Sequence, residues 1–281
     1  MRYFDYKSHL EGGLLDEYIG DIENVFAKEE RLRNTFNKDR DKFEKIRVNN
    51  LINCTLASLK IEGFTVSDDK VDLLNSPDFD IDSYDGQLTK ADKEFLGYIN
   101  ILNMIQESYE YIGINPNVIL QLHRDMLINI NRELGGKYRN ACIYVNEITD
   151  EGRMLPYFEP VPAHETMRDL DELTRHYNSL NLGKGESLLA SIMFLLDFYV
   201  IHPFNFANGE AMRLMAHLLF NKVGISIFKF VSLEEYMCDD IGRFYLAVRD
   251  SSRDYYQGKN NYDSIVRYFM DMLRISYIKI M

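Results

Sequence analysis

The stretch HPFNFANGEAMR, residues 202–213, decides how the chain reads. An apolar run, Leu188–Ile201, leads into it and carries a single acid, Asp197. Pro203 removes a backbone donor and disfavours the helical region for His202, so a helix must stop there. A turn of Asn, Ala and Gly follows. A new helix starts near Gly209 and points Arg213 to the same side one turn later. The product is a tight loop that delivers backbone N–H groups at a helix N-terminus, where unpaired donors and the dipole favour anions such as phosphate. A histidine beside such a site has a pKa near neutrality and is suited to take a proton from an attacking hydroxyl. His before Pro is also an ordinary helix end and Asn-Gly an ordinary turn, so spacing alone leaves both readings open.

On either side of this loop the chain reads as mostly helical. Residues 12–48 read as charged amphipathic helices, and Asn49–Gly63 as a second helical stretch with Gly63 as its stop. Residues 64–89 are acidic and rich in turn formers, and read as a loop with a short helix. Thr89 is a good N-cap for a helix to about Tyr111, and Asn115-Pro116 opens another with Ile119, Leu122, Met126 and Leu127 on one face. The helical pattern breaks at Gly135-Gly136. Alternation around Cys142–Val145, a turn at Asp150-Glu151-Gly152 and a return through Met154–Phe158 predict one hairpin. Helices resume at about Ala163–Asn178, Glu186–His202, Glu210–Val223, Leu233–Asp250 and Tyr262–Ile278. The division expected is an N-terminal helical extension (1–48), connecting helices (49–111), a core with the hairpin at about 142–158 (112–225), and C-terminal helices packed on the core (226–281).

Composition excludes several classes. With 46% hydrophobic residues, and 16 Gly and 6 Pro in 281 residues, the chain can build a large core and is unlike a sandwich of many short strands. A formal charge of −12 opposes nonspecific nucleic-acid or anionic-membrane binding, both of which need cations. Cys54, Cys142 and Cys238 are odd in number, far apart and form no CxxC, which points to a reducing compartment. The start has no apolar signal segment, and Leu188–Ile201 is too short to span a bilayer. The expected location is cytoplasmic. No H-x-x-x-H or H-E-x-x-H pair offers a zinc site, and there is no Walker A loop. His123 and His217 read as packed helix residues and His164 as a helix cap. The acidic stretch Asp68–Asp85 reads as solvated surface, and Met212, Met215, Met270 and Met272 as adaptable core.

The loop resembles the signature of the Fic family, H-P-F-x-(D/E)-(G/A)-N-G-R-x-x-R, at His202, Pro203, Phe204, Ala207, Asn208, Gly209 and Arg213. Gly136-Lys137-Tyr138-Arg139 is similar to the family's step into its flap, and Tyr157-Phe158-Glu159-Pro160 to the return. Ser58–Gly63 is similar to the inhibitory-helix pattern (S/T)-x-x-x-E-(G/N). Tyr255-Tyr256 and Tyr262–Leu273 resemble the helical tail after the core. The resemblance implies a Fic-like helical bundle with one protruding β-hairpin flap. It also implies AMP transfer from ATP, with Mg²⁺, to a hydroxyl of a target protein. His202 would be the base, Phe204 the loop's anchor in the core, and Asn208, the Gly209 amide and Arg213 the phosphate ligands. Glu62 would pair with Arg213 and block ATP, with Ser58 supporting its helix. Ile143, Tyr144 and Val145 would align the target by strand addition. The reading leaves room for a homo-oligomer.

Two positions depart from the pattern. Phe206 stands where the metal-orienting acid belongs, and a phenyl ring cannot ligate a hard cation. Glu210 stands where the first arginine belongs. If it faced a triphosphate, like charges ~4 Å apart would oppose binding by roughly 1–4 kcal/mol. Three expectations follow: a weak AMP transferase or a non-catalytic nucleotide- or peptide-binding module, transfer of a different phosphate-containing group, or Mg²⁺ recruited by another acid, Glu210 being nearest in sequence.

Overall fold

The computed structural model describes residues 4–76, 78–133, 135–148, 154–255 and 261–280. Its helices are α1 (Tyr6–His9), α2 (Leu15–Lys38), α3 (Arg40–Ile61), α4 (Asp68–Leu74), α5 (Ile81–Tyr84), α6 (Lys90–Ser108) and α7 (Pro116–Met126). After the hairpin come α8 (Thr166–Ser179), α9 (Lys184–Ile201), α10 (Asn208–Lys222), α11 (Leu233–Asp239), α12 (Ile241–Ser252) and α13 (Asp263–Ile280). Among the described residues the only strands are β1 (Val145–Ile148) and β2 (Met154–Phe158), paired antiparallel with Ile148 opposite Met154. The expected mostly helical bundle with one small hairpin is what forms. The expected turn at 150–152 lies outside the described residues.

Helix α9 is the axis of the bundle. Every residue from Leu188 to Ile201 is buried, as an all-round apolar helix must be. Asp197 sits inside it at 0% exposure and is stabilised by two phenols. Tyr6 donates to its Oδ2 at 2.5 Å and Tyr262 at 2.9 Å. One buried carboxylate thus ties α1 and the start of α13 to the core. Pairing of this kind is what a buried charge requires.

Local signals account for the helix ends. Thr89 accepts from the Asp92 amide at 3.1 Å while Asp92 accepts from the Thr89 amide, a complete capping box. Asn115 caps α7 through the Val118 amide. Gly63, at φ 81°, ends α3, and Phe64 N–H returns to the Leu59 carbonyl at 2.9 Å.

Two boundaries differ from expectation for one reason. The break expected near 48–49 lies at Asp39, and α3 runs unbroken through Asn49. The single helix expected over Leu233–Asp250 is split at Asp240. Each aspartate leaves the helical region (φ −145° and −149°) and accepts the amide three residues on, from Lys42 and Arg243. Local side-chain capping outcompetes continuation. The first strand also begins at Val145 rather than Cys142, so Cys142–Tyr144 reach the ladder as unpaired approach. His164 caps nothing: it lies exposed in a short 3₁₀ turn before α8, beside Glu165.

Candidate active site

Helix α9 delivers His202 and α10 begins six residues later. Two non-glycine residues in the left-handed region, His202 (φ 51°) and Ala207 (φ 59°), bracket the loop. Such residues persist only where surroundings fix them, and four partners do so here. Asn208 Oδ1 accepts from the Phe204 amide and its Nδ2 donates to the Phe204 carbonyl, each at 2.9 Å. Phe204 is fully buried. Arg139 donates from Nε to the His202 carbonyl at 2.6 Å, from Nη2 to those of Ile201 and Val161, and from Nη1 to that of Ala141. Its own amide bonds the Pro203 carbonyl at 2.8 Å.

His123 is the fourth, and sequence reasoning gave it no site role. Its ring stacks on Phe204 with centroids 3.7 Å apart and planes 4° from parallel. Nδ1 accepts from the Gly136 amide at 2.9 Å, so the proton lies on Nε2, which donates to the Phe206 carbonyl at 3.2 Å. Burial pushes its pKa down to about 4, with the Phe206 bond opposing, and the ring is neutral. No signal in a lone helical histidine could have revealed contacts spanning 13 and 83 residues.

The loop opens on a cavity of about 310 Å³ lined by His202, Asn205–Gly209, Met212 and Arg213, with Tyr199, Met237, Ile241, Phe244 and Tyr245 opposite. Tyr144 and Val145 of the flap reach its rim, and Tyr144 is 70% exposed. Ile143 does not line it. Within the cavity His202 is 8% exposed. Its Nδ1 faces the Tyr199 carbonyl at 3.1 Å, and a carbonyl only accepts, so Nδ1 carries the proton and Nε2 the lone pair. Burial, aided by nearby Arg139, lowers its pKa to about 4 against the opposing Tyr199 bond. A neutral imidazole with Nε2 unprotonated can accept a proton at pH 7.

Arg213 is 2% exposed and held from α3. Nε and Nη2 donate to the Ser58 hydroxyl at 3.0 and 2.9 Å, and Nη2 to Glu62 Oε1 at 2.9 Å. Ser58 therefore grips the arginine directly, beyond the expected support of its own helix. Burial opposes the charge on Arg213, but Glu62, Tyr98 and Glu210 outweigh it and hold the pKa above its ordinary range. Glu62 also covers the start of α10: a β-carbon on Gly209 would lie 2.7 Å from Glu62 Oε1. A carboxylate thus occupies the end of the helix where first-turn amides have no intrahelical acceptor.

One turn deeper, α10 carries His217 and α3 carries Cys54, both fully buried with Glu234 of α11. Glu234 Oε1 accepts from Tyr98 at 2.7 Å and meets His217 Nε2 at 2.8 Å. Burial raises the Glu234 carboxyl, but His217 outweighs it and brings the pKa down to about 2. The ligand-type atoms of Cys54, His217 and Glu234 lie within 4.8 Å of one another. They come from three helices, so no spacing rule could have grouped them. The 2.8 Å contact is a hydrogen bond between the donors themselves.

Two expectations need correction. The Asn208 side chain is spent on Phe204 rather than pointed at phosphates. Glu210 does not reverse charge on the cavity wall. It is absent from the lining, 5% exposed, and turned toward Glu62, Arg213 and Glu94. Burial, then Glu62, pushes its pKa up to about 8. Phe206 does line the cavity, and among the described residues the sole carboxylate there is Glu62, already paired. Among the described residues the cavity lining offers no oxygen-rich donor set of the kind Mg²⁺ takes, and Glu210 is not part of that lining.

A helical bundle holding a His-to-Gly loop at a helix start, beside a hairpin, defines a structural class. Residues 113–220 match the model of the Fic/DOC family. The chain is 23% identical over 142 residues to "Protein adenylyltransferase fic-1" of Caenorhabditis briggsae, a match covering 50% of this chain and 26% of that protein. The fold is similar to a Fic family protein of Desulfovibrio desulfuricans G20 (TM-score 0.67, 17% identity, 92% of this chain and 73% of that one). It is also similar to a Fic domain containing signaling protein of Bacteroides thetaiotaomicron VPI-5482 (TM-score 0.65, 17% identity, 92% and 94%). No helix among the described residues is long and apolar enough to cross a membrane.

Proposed function

We propose that this protein transfers AMP from ATP to a hydroxyl of a target protein and is held in check by Glu62. The observation that carries the reading is His202, neutral and with Nε2 unprotonated, in the cavity whose phosphate end is filled by Glu62 on Arg213. With Glu62 withdrawn, the ATP phosphates would take its place at the Gly209 turn and the Arg213 guanidinium. The target hydroxyl would lose its proton to His202 Nε2 as its oxygen bonds the α-phosphorus. The bond from that phosphorus to the diphosphate would break, and diphosphate would leave. Tyr144 and Val145, at the rim, would align the target segment by strand addition. The reading places the protein in the cytoplasm with a protein partner, and leaves a homo-oligomer open.

The test is intact mass spectrometry of wild type and Glu62→Gly incubated with ATP and Mg²⁺, alone and with lysate proteins. An AMP adduct that rises in Glu62→Gly supports the reading. No adduct with either protein rejects it. The metal-poor cavity wall around Phe206 favours a second reading, a Fic-fold module that binds a nucleotide or peptide without turnover. Binding that survives His202→Ala, with no adduct formed, would select it. Transfer of another phosphate-containing group would appear in the same experiment as an adduct of different mass when other nucleotide donors replace ATP.

A further inference from the structure

Glu210 is the anomaly of the site. It is buried to 5%, and its Oε2 has no hydrogen-bond partner. A buried polar atom without a partner is uncommon and calls for an explanation. We infer that Glu210 is a positioning residue for Glu62: its carboxyl, set between Glu62 and Glu94 beside Arg213, determines how firmly Glu62 stays on the arginine. The inference rests on reading Glu62 as the group that obstructs the cavity.

Three elements supply the charges around it. Helix α3 presents Glu62, α6 presents Glu94 with Lys90 3.7 Å away, and α10 itself presents Arg213. A neutral carboxyl at position 210 leaves Arg213 with one anionic partner above it. An ionised one places a second anion next to Glu62 and competes for the same guanidinium. Of the two carboxylates, Glu62 is the one able to leave. Its side chain is 31% exposed, and it sits at the C-terminal end of α3, where the dipole disfavours negative charge. Glu210 is enclosed by the packed helices.

The pH direction follows from proton linkage. With Glu62 seated, Glu210 binds its proton tightly, with a pKa of about 8 against an ordinary 4.5. With Glu62 withdrawn, a repelling charge is gone and the proton is held less tightly. Seating of Glu62 is therefore strongest at low pH, weakens as pH rises toward 8, and levels off above it. Glu210→Gln keeps the shape of the neutral carboxyl and cannot ionise.

The experiment is amide hydrogen exchange of residues 58–64, where Glu62, Gly63 and Phe64 donate to Ser58, Lys60 and Leu59. Protection factors, corrected for intrinsic rates, are compared at about pH 6 and about pH 8.5, on either side of the working range. Wild type loses about tenfold protection across that step, the effect of one charge contact of about 1.4 kcal/mol. Glu210→Gln and Glu62→Gln hold theirs. Equal pH steps in wild type and Glu210→Gln overturn the inference. So does a matching loss in α9 peptides 188–201, which would assign Glu210 to overall stability. The readout involves no nucleotide, so failure of AMP transfer and failure of this inference are separate results.

Discussion

Arg213 touches Ser58 with two nitrogens, at 3.0 and 2.9 Å, inside a contact from which solvent is excluded. The arginine is thus fixed before Glu62 reaches it. Ser58→Ala leaves a buried guanidinium N–H unpaired and should lower unfolding free energy by about 1–3 kcal/mol. Urea denaturation checks this; a midpoint unchanged from wild type would show that the bond is dispensable.

Gly209 leaves room for Glu62. A β-carbon there would stand 2.7 Å from Glu62 Oε1 and 3.1 Å from Arg213 Nη1, both ends of side chains rather than backbone. Gly209→Ala should displace Glu62 and speed exchange in residues 58–64, while remaining silent in a Glu62→Gly background. Equal effects in the two backgrounds would mean that the methyl group acts on something other than Glu62.

His123 and His202 are both buried in the neutral form, with pKa values lowered from 6.5 to about 4. Folded pKa values below the unfolded one mean stability that is complete above 6.5 and lost as pH falls toward 4. Glu210 works oppositely, gaining stability on acidification below about 8, so the comparison runs between proteins rather than along one curve. The stability deficit of His123→Gln against wild type should shrink between about pH 7 and about pH 5 as wild type loses the benefit of its neutral ring. A constant deficit would contradict burial of the neutral form.

Asp197→Asn weakens two phenol hydrogen bonds to a charged acceptor in the middle of α9. A loss of about 1.5–3 kcal/mol is expected, the range for bonds to ionised groups. Thermal unfolding monitored by circular dichroism measures it. A variant as stable as wild type would show that the charge contributes nothing there.

Where sequence and structure agree, the signals are local. Pro203, Thr89, Asn115 and Gly63 each act within one helical turn, and each does what its chemistry requires. The family pattern brought His202, Arg213, Ser58 and Glu62 together across 155 residues, which no periodicity could do. The failures have the opposite character. The Asp39 and Asp240 breaks lie in polar stretches where capping and continuation look alike in the sequence. Glu210 occupies a position read as facing phosphate, and its direction depends on how α6 packs. His123 and Glu234 acquire their partners only when distant helices meet.

Arg139 has a consequence for the flap. Both feet of the excursion that carries the hairpin, Ala141 and Val161, hang on one guanidinium together with the carbonyls of Ile201 and His202. The feet of the hairpin and the backbone of the histidine thus share one anchor. The placement of the hairpin's feet and the setting of the imidazole are then two readings of one equilibrium. Linkage of that kind is reciprocal: whatever steadies the histidine turn also steadies the feet of the hairpin, by the same free energy.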